Sequence, residues 1–223
     1  MKKVWILLFG LVSITELGSV TFNYSIGHSI AKPLIMPLLM GYFISATSKR
    51  PRYFLGALIF CWLGDVLLMF QGTELFFILG LVAFLIGHMC YMISYRMLRF
   101  RHPEGGLLNT QKISYSLPFL LAGTGLVTIL IPHLGDLKIP VMIYALVLTL
   151  MVLQALFRYG HTSGKSFGLI LTGAIFFMAS DSMLAINKFM QPLPFASLLI
   201  MTTYIIAQYF IVEGAIKHYQ TER

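Results

Sequence analysis

The chain has 223 residues, 58% of them hydrophobic and only 11% charged, a balance that excludes a soluble domain whose surface must be covered by polar groups. Its formal net charge of +8 is scattered between apolar runs and forms no basic face interleaved with aromatics, so the charge argues against nucleic acid as a partner. Cys61 and Cys90 both fall inside apolar runs without metal-ligand spacing, so neither a disulfide framework nor a zinc site is expected.

The bilayer is therefore the expected solvent, and a helix needs roughly 17–25 apolar residues to cross it. The first run, at about 4–22, begins MKKVWILLFGLV like a secretory signal. No small-x-small cleavage site follows and Glu16 interrupts its end, so it is expected to be retained as a first helix. The second, at about 33–47, is short, opens at Lys32-Pro33 and carries Pro37, and is expected to be tilted, kinked or partly broken. The third and fourth, at about 53–70 and 75–95, are joined by a short turn at Gln71 to Thr73. A long loop from Arg96 to Lys112, carrying His102-Pro103-Glu104-Gly105-Gly106, leads to the remaining runs at about 113–131, 139–157, 167–186 and 193–213. The expected fold is all-α, a polytopic membrane helix bundle of about eight transmembrane helices. It forms a single transmembrane domain over residues 1–223, with two halves at about 1–100 and 110–223.

Basic residues in short loops collect on the cytoplasmic side. With the N-terminus inside, that side holds Lys2, Lys3, Lys49, Arg50, Arg52, Arg96, Arg99, Arg101, Lys112, Arg158, Lys165, Lys217 and Arg223, thirteen of the sixteen Lys and Arg residues. Only Lys32, Lys138 and Lys188 fall outside, which predicts that both termini are cytoplasmic. An internal echo follows the same four-and-four division: Gly64-Asp65-x-x-Leu68 on the third span and Ser180-Asp181-x-x-Leu184-Ala185 on the seventh.

Ionisable groups inside membrane helices are costly, face the bundle interior and are functional candidates by default. Glu16, Asp65 and Asp181 are each expected roughly 9–10 Å below the outer end of their helices. Carboxyls meeting at one level in a low dielectric cannot all ionise, which sets a neutral acid beside a carboxylate and equips the site for acid–base work. Asp65 and Asp181 are the leading catalytic candidates; for Glu16 a bond to a neighbouring helix weighs equally. His88 shares a helical face with Tyr91 and Tyr95, and either lines a long substrate cavity or holds helices together. Gln208, one turn after Tyr204, has the same two readings. Lys32 is placed to receive a lipid phosphate or to snorkel at its helix end, and Glu213 with Lys217 reads as an ion pair at the edge of the last helix. Gly164-Lys165-Ser166-Phe167-Gly168 fits the G-x-S-x-G string, but it enters a membrane helix where a nucleophile elbow needs a strand before it.

Together, Lys32-Pro33, Gly64-Asp65-Val66-Leu67-Leu68-Met69, Gly87-His88 with Tyr91, and Ser180-Asp181-Ser182-Met183-Leu184-Ala185 resemble the lysoplasmalogenase (YhhN-like) membrane family. The resemblance implies hydrolysis of the vinyl ether bond of alkenyl lysophospholipids to a fatty aldehyde and glycerophosphoethanolamine or glycerophosphocholine. The reaction requires no cofactor and takes its substrate from membrane lipids; the reading of the residues then makes Asp65 and Asp181 the catalytic pair, with Glu16, Lys32, His88, Tyr91, Tyr204 and Gln208 around the substrate. In a bacterium such a protein would reside in the cell membrane. The competing reading is a proton-coupled transporter, because membrane carboxylates and a repeat also suit alternating access.

Overall fold

The structure is a computed structural model that describes residues 2–70, 74–100 and 105–221. Among them are eight α-helices and no strand: α1 (Lys2–Thr21), α2 (Ser25–Ala46), α3 (Arg52–Leu67), α4 (Glu74–Met97), α5 (Asn109–Leu130), α6 (Lys138–Leu156), α7 (Gly164–Phe189) and α8 (Ala196–Thr221). Two 3₁₀ turns, Ile131–His133 and Gly135–Leu137, join α5 to α6. Every helix but the 16-residue α3 is long and apolar enough to cross a membrane. The turn expected at Gln71 to Thr73, and Arg101 to Glu104 of the expected long loop, lie outside the described residues.

The polarity of the helices is reversed relative to a soluble bundle. On α1, Leu7, Leu11 and Ile14 are 72%, 64% and 72% exposed, whereas Ser13, Glu16 and Ser19 are buried. On α5, Ile113, Leu117 and Leu121 are likewise turned outward. In water such faces would aggregate, and against lipid they are the expected surface. The chain is an integral multi-pass membrane protein built as a helix bundle.

The chain divides into two compact units, Met1–Ser94 and Tyr95–Arg223. In the first, α1 closes with Asn23 in the left-handed region (φ 53°) and the Tyr24 N–H bonded to the Ser19 carbonyl at 2.8 Å. This is the Schellman closure, in which Asn substitutes for glycine because its short polar side chain tolerates that conformation. The chain therefore reverses within three residues and α2 packs back along α1.

Helix α2 starts eight residues earlier than the apolar run that announced it, and it remains a continuous helix through Pro33 and Pro37. Pro37 lacks the N–H that would bond the Pro33 carbonyl, and the Trp62 indole N–H from α3 supplies it instead, at 2.9 Å. Of the outcomes expected from the prolines, a tilt, a kink or a partial break, the break does not occur, and a neighbour satisfies the freed carbonyl. Farther along, Phe43, Phe54 and Tyr91 form an aromatic core, with ring centroids 4.8 Å apart for the first pair and 5.8 Å, edge to face, for the second.

In the second unit α7 and α8 pack closely. A Cβ added to Gly173 would lie 2.8 Å from the Ala207 carbonyl oxygen, and one on Gly214 would lie 2.6 Å from Ile170, so small residues set this approach. Ile170, Ala174 and Phe177 of α7, with Ala207, Ile211 and Ala215 of α8, form the buried seam.

Candidate functional site

Buried polar side chains gather at two places in the first unit and two in the second. In the first unit, Glu16 is fully buried and its Oε1 lies 2.8 Å from His28 Nδ1, an α1–α2 pair made possible by the tight Asn23 turn. Oε2 of Glu16 is buried without a hydrogen-bond partner among the described residues. Lys32 stands one turn beyond His28 on α2, near enough for its charge to act on the same carboxyl. His28 was not a candidate in the sequence, because it lies in the polar stretch before Pro33, outside the predicted span.

Asp65 is 3% exposed and sits two residues before the end of α3. Trp62, three residues earlier and on a similar face, fixes that face toward α2 through its bond to Pro33. Gly64 faces the ring of Phe84 on α4, and a Cβ there would lie 2.5 Å from it. His88, fully buried, stacks one turn farther along α4 on the same Phe84, with centroids 6.4 Å apart. Tyr91, also fully buried, belongs to the aromatic core described above.

In the second unit, Asp181 is 9% exposed and accepts a hydrogen bond of 2.6 Å from the Tyr144 hydroxyl on α6. Beside it, the Ser180 hydroxyl donates to the Ile200 carbonyl on α8 at 3.0 Å. Tyr204 meets Phe177 edge to face at 5.5 Å, and Gln208, fully buried, follows one turn later on α8. Asp181, Tyr204 and Gln208 are thus carried on facing stretches of α7 and α8. Tyr144 escaped sequence reading, although a lone phenol in a nearly unbroken apolar run was a signal that could have raised it.

The equal depth expected for the three carboxyls is not kept along their helices. Glu16 lies about 7–8 Å from the C-terminal end of α1, Asp65 about 3 Å from that of α3, and Asp181 about 12 Å from that of α7. The cause is local. The Met69 and Phe70 N–H groups bond only three residues back and stop α3 early, whereas α7 runs to Phe189.

A further polar cluster lies past the end of α6. Arg158 is fully buried and donates to the Leu98 carbonyl (3.1 Å), the Ser166 carbonyl (3.4 Å), Ser166 Oγ (2.8 Å) and Thr162 Oγ1 (3.3 Å). Thr162 in turn meets His218 Nδ1 at 2.8 Å, and Phe100 stacks on the His218 ring. Burial lowers the Arg158 guanidinium to about 10, still protonated at neutral pH, and the same cause lowers nearby Arg99 and His161. Arg158 ties the segment after α4 to the start of α7, in part through the hydroxyl of Ser166 in the G-x-S-x-G string. Glu213 and Lys217 form the expected pair at 3.3 Å. Among the described residues no three His, Cys, Asp or Glu side chains are grouped to hold a metal.

The chain is 34% identical over 163 residues to a human protein named lysoplasmalogenase TMEM86B, a match covering 73% of this chain and 62% of that protein, so this chain spans less than two thirds of that relative. It is 29% identical over 196 residues to a lysoplasmalogenase of Mycobacterium bovis, covering 84% and 71% of the two chains. With human lysoplasmalogenase TMEM86A it shares 30% identity over 179 residues, 78% of this chain and 69% of the other. No solved structure matches. The YhhN family model matches residues 27–215, from the glycine before His28 to the last turns of α8, and the chain belongs to the YhhN family.

Proposed function

We propose that this chain is a lysoplasmalogenase-type hydrolase that cleaves the vinyl ether bond of alkenyl lysophospholipids in the membrane. The observation that carries the reading is a pair of aspartates, each almost fully buried on a helix of a lipid-facing bundle, in a family whose curated relatives bear that name. Buried carboxyls in such a setting are expensive and need a purpose.

The reaction suits carboxyls alone. One neutral aspartic acid protonates the outer alkene carbon of the vinyl ether and leaves an oxocarbenium ion. The other, ionised, stabilises that cation and takes a proton from the attacking water, and the hemiacetal then collapses to fatty aldehyde and glycerol hydroxyl. One water is consumed, and the proton given up is restored by the proton taken from water. Two carboxyls divide acid and base roles in this way in glycosidases. Asp65 and Asp181 are assigned the two roles jointly, with Tyr144 holding Asp181 in place. Lys32, His88, Tyr91, Tyr204, Gln208 and Glu16 are assigned to the substrate.

The test is release of fatty aldehyde from a lysoplasmalogen by the purified protein in detergent, without added metal. Wild-type protein that releases none, while moving the intact lipid or another solute across sealed vesicles, would replace the hydrolase by a transporter.

A further inference from the structure

On the lysoplasmalogenase reading above, Glu16 and Lys32, both assigned to the substrate, are joined by His28, which lies between them. Glu16 is fully buried, yet among the described residues only one of its oxygens is bonded, to His28 Nδ1 at 2.8 Å. The two nitrogens of an imidazole point apart, so a carboxylate fixed on Nδ1 directs Nε2 away from the pair. The His28 side chain is 30% exposed, so the ring is partly open to a ligand. Lys32 follows at four residues on the same face of α2. Lys32 brings a positive charge and His28, oriented by Glu16, a ring nitrogen one turn away, a combination that suits the oxygens of a phosphodiester anion.

The spacing to Asp65 supports the same ligand. Trp62 bonds the Pro33 carbonyl, so Asp65, three residues past Trp62 on the antiparallel α3, lies about 4–5 Å along the axis from Pro33 toward His28. His28, five residues before Pro33, lies about 7–8 Å in the same direction. The two side chains are thus offset by about 3 Å axially, on helices whose axes pack roughly 8–10 Å apart. In an alkenyl lysophospholipid seven bonds separate phosphorus from the alkene carbon to be protonated, roughly 8 Å when extended. A phosphate held at His28 and Lys32 brings that carbon within reach of Asp65.

We infer that Glu16, His28 and Lys32 form the subsite for the headgroup phosphodiester, with His28 Nε2 and Lys32 Nζ contacting its oxygens and Glu16 acting as a positioning residue that orients His28. Glu16 stands before residue 27, where the family match begins, so this device depends on the α1 segment of this chain.

The experiment compares kcat/KM for a lysoplasmalogen with that for the phosphate-free 1-alkenylglycerol on one protein preparation, so that any loss of folded protein cancels. His28→Gln and Lys32→Ala are each expected to reduce the preference for the phosphorylated substrate at least about tenfold. Glu16→Gln, which keeps an acceptor but removes the charge, is expected to reduce it about threefold through KM with kcat retained. An unchanged preference in His28→Gln and Lys32→Ala would overturn the subsite. Glycerophosphoethanolamine is expected to compete with substrate in wild type and not in the variants, and inorganic phosphate competing as strongly would overturn the phosphodiester assignment. If wild-type protein cleaves neither substrate, the hydrolase reading has failed. The subsite is then judged by binding of an uncleavable alkyl ether lysophospholipid against the corresponding alkylglycerol, where equal affinity would overturn it.

Discussion

The two aspartate-bearing helices share the pattern Asp-x-x-Leu, Asp65 to Leu68 and Asp181 to Leu184, and are anchored in different ways. On α3, the residue before the aspartate is Gly64, which admits the Phe84 ring of α4 by having no side chain. On α7 it is Ser180, which reaches α8 by a hydrogen bond to the Ile200 carbonyl. Toward the preceding helix the roles are again exchanged. Helix α3 donates from Trp62 to the proline-orphaned carbonyl of α2, whereas Asp181 of α7 itself accepts from Tyr144 of α6. A repeated aspartate in a membrane bundle thus needs a fixed backbone on both sides, and steric approach and hydrogen bonding are interchangeable means of supplying it.

That comparison can be broken by substitution. The largest effect is expected at the carboxyls: Asp65→Asn and Asp181→Asn should each fold and lose at least about 100-fold in aldehyde release. If one variant kept wild-type activity, its carboxyl would leave the mechanism and the two helices would cease to be equivalent.

Next in size is helix approach. Gly173→Ala places a methyl 2.8 Å from the backbone oxygen of Ala207. Backbone cannot rotate away, so α7 and α8 must separate at a cost of about 2 kcal/mol. Gly64→Ala meets the Phe84 side chain, which can turn aside, and should cost about 1 kcal/mol. Unfolding in mixed detergent micelles reads both, and equal losses would remove the distinction between the two kinds of neighbour.

Tyr144→Phe sharpens the comparison on the α7 side. It deletes the hydroxyl that α6 offers to Asp181, and should lower activity about tenfold, equivalent to about 1.4 kcal/mol, with little change in KM. A change confined to KM would make Tyr144 a substrate contact.

The smallest effect is expected at Trp62→Phe, which removes the indole donor from the Pro33 carbonyl and should destabilise by about 1 kcal/mol. Restoring a non-proline residue in the double variant Trp62→Phe with Pro37→Ala should recover most of that loss. If it does not, the indole was acting through packing.

Apolar composition and run length were sufficient to predict the class of fold, the number and order of the helices and the membrane as solvent, because the cost of exposing backbone in lipid leaves a chain of such runs few alternatives. The same cost made Glu16, Asp65 and Asp181 visible as buried acids, since a charge inside an apolar run is conspicuous whatever it touches. What tertiary structure alone decided is which groups meet them. His28 lay in a polar stretch that hydropathy assigned to a loop and that became helix because α1 turned back sharply at Asn23. Tyr144 and Arg158 became polar partners only when α6 and its following turn were packed against α7. Hydrophobic periodicity reports how each segment meets its solvent, and a hydrogen bond between residues 37 positions apart depends on a fold that no local pattern contains.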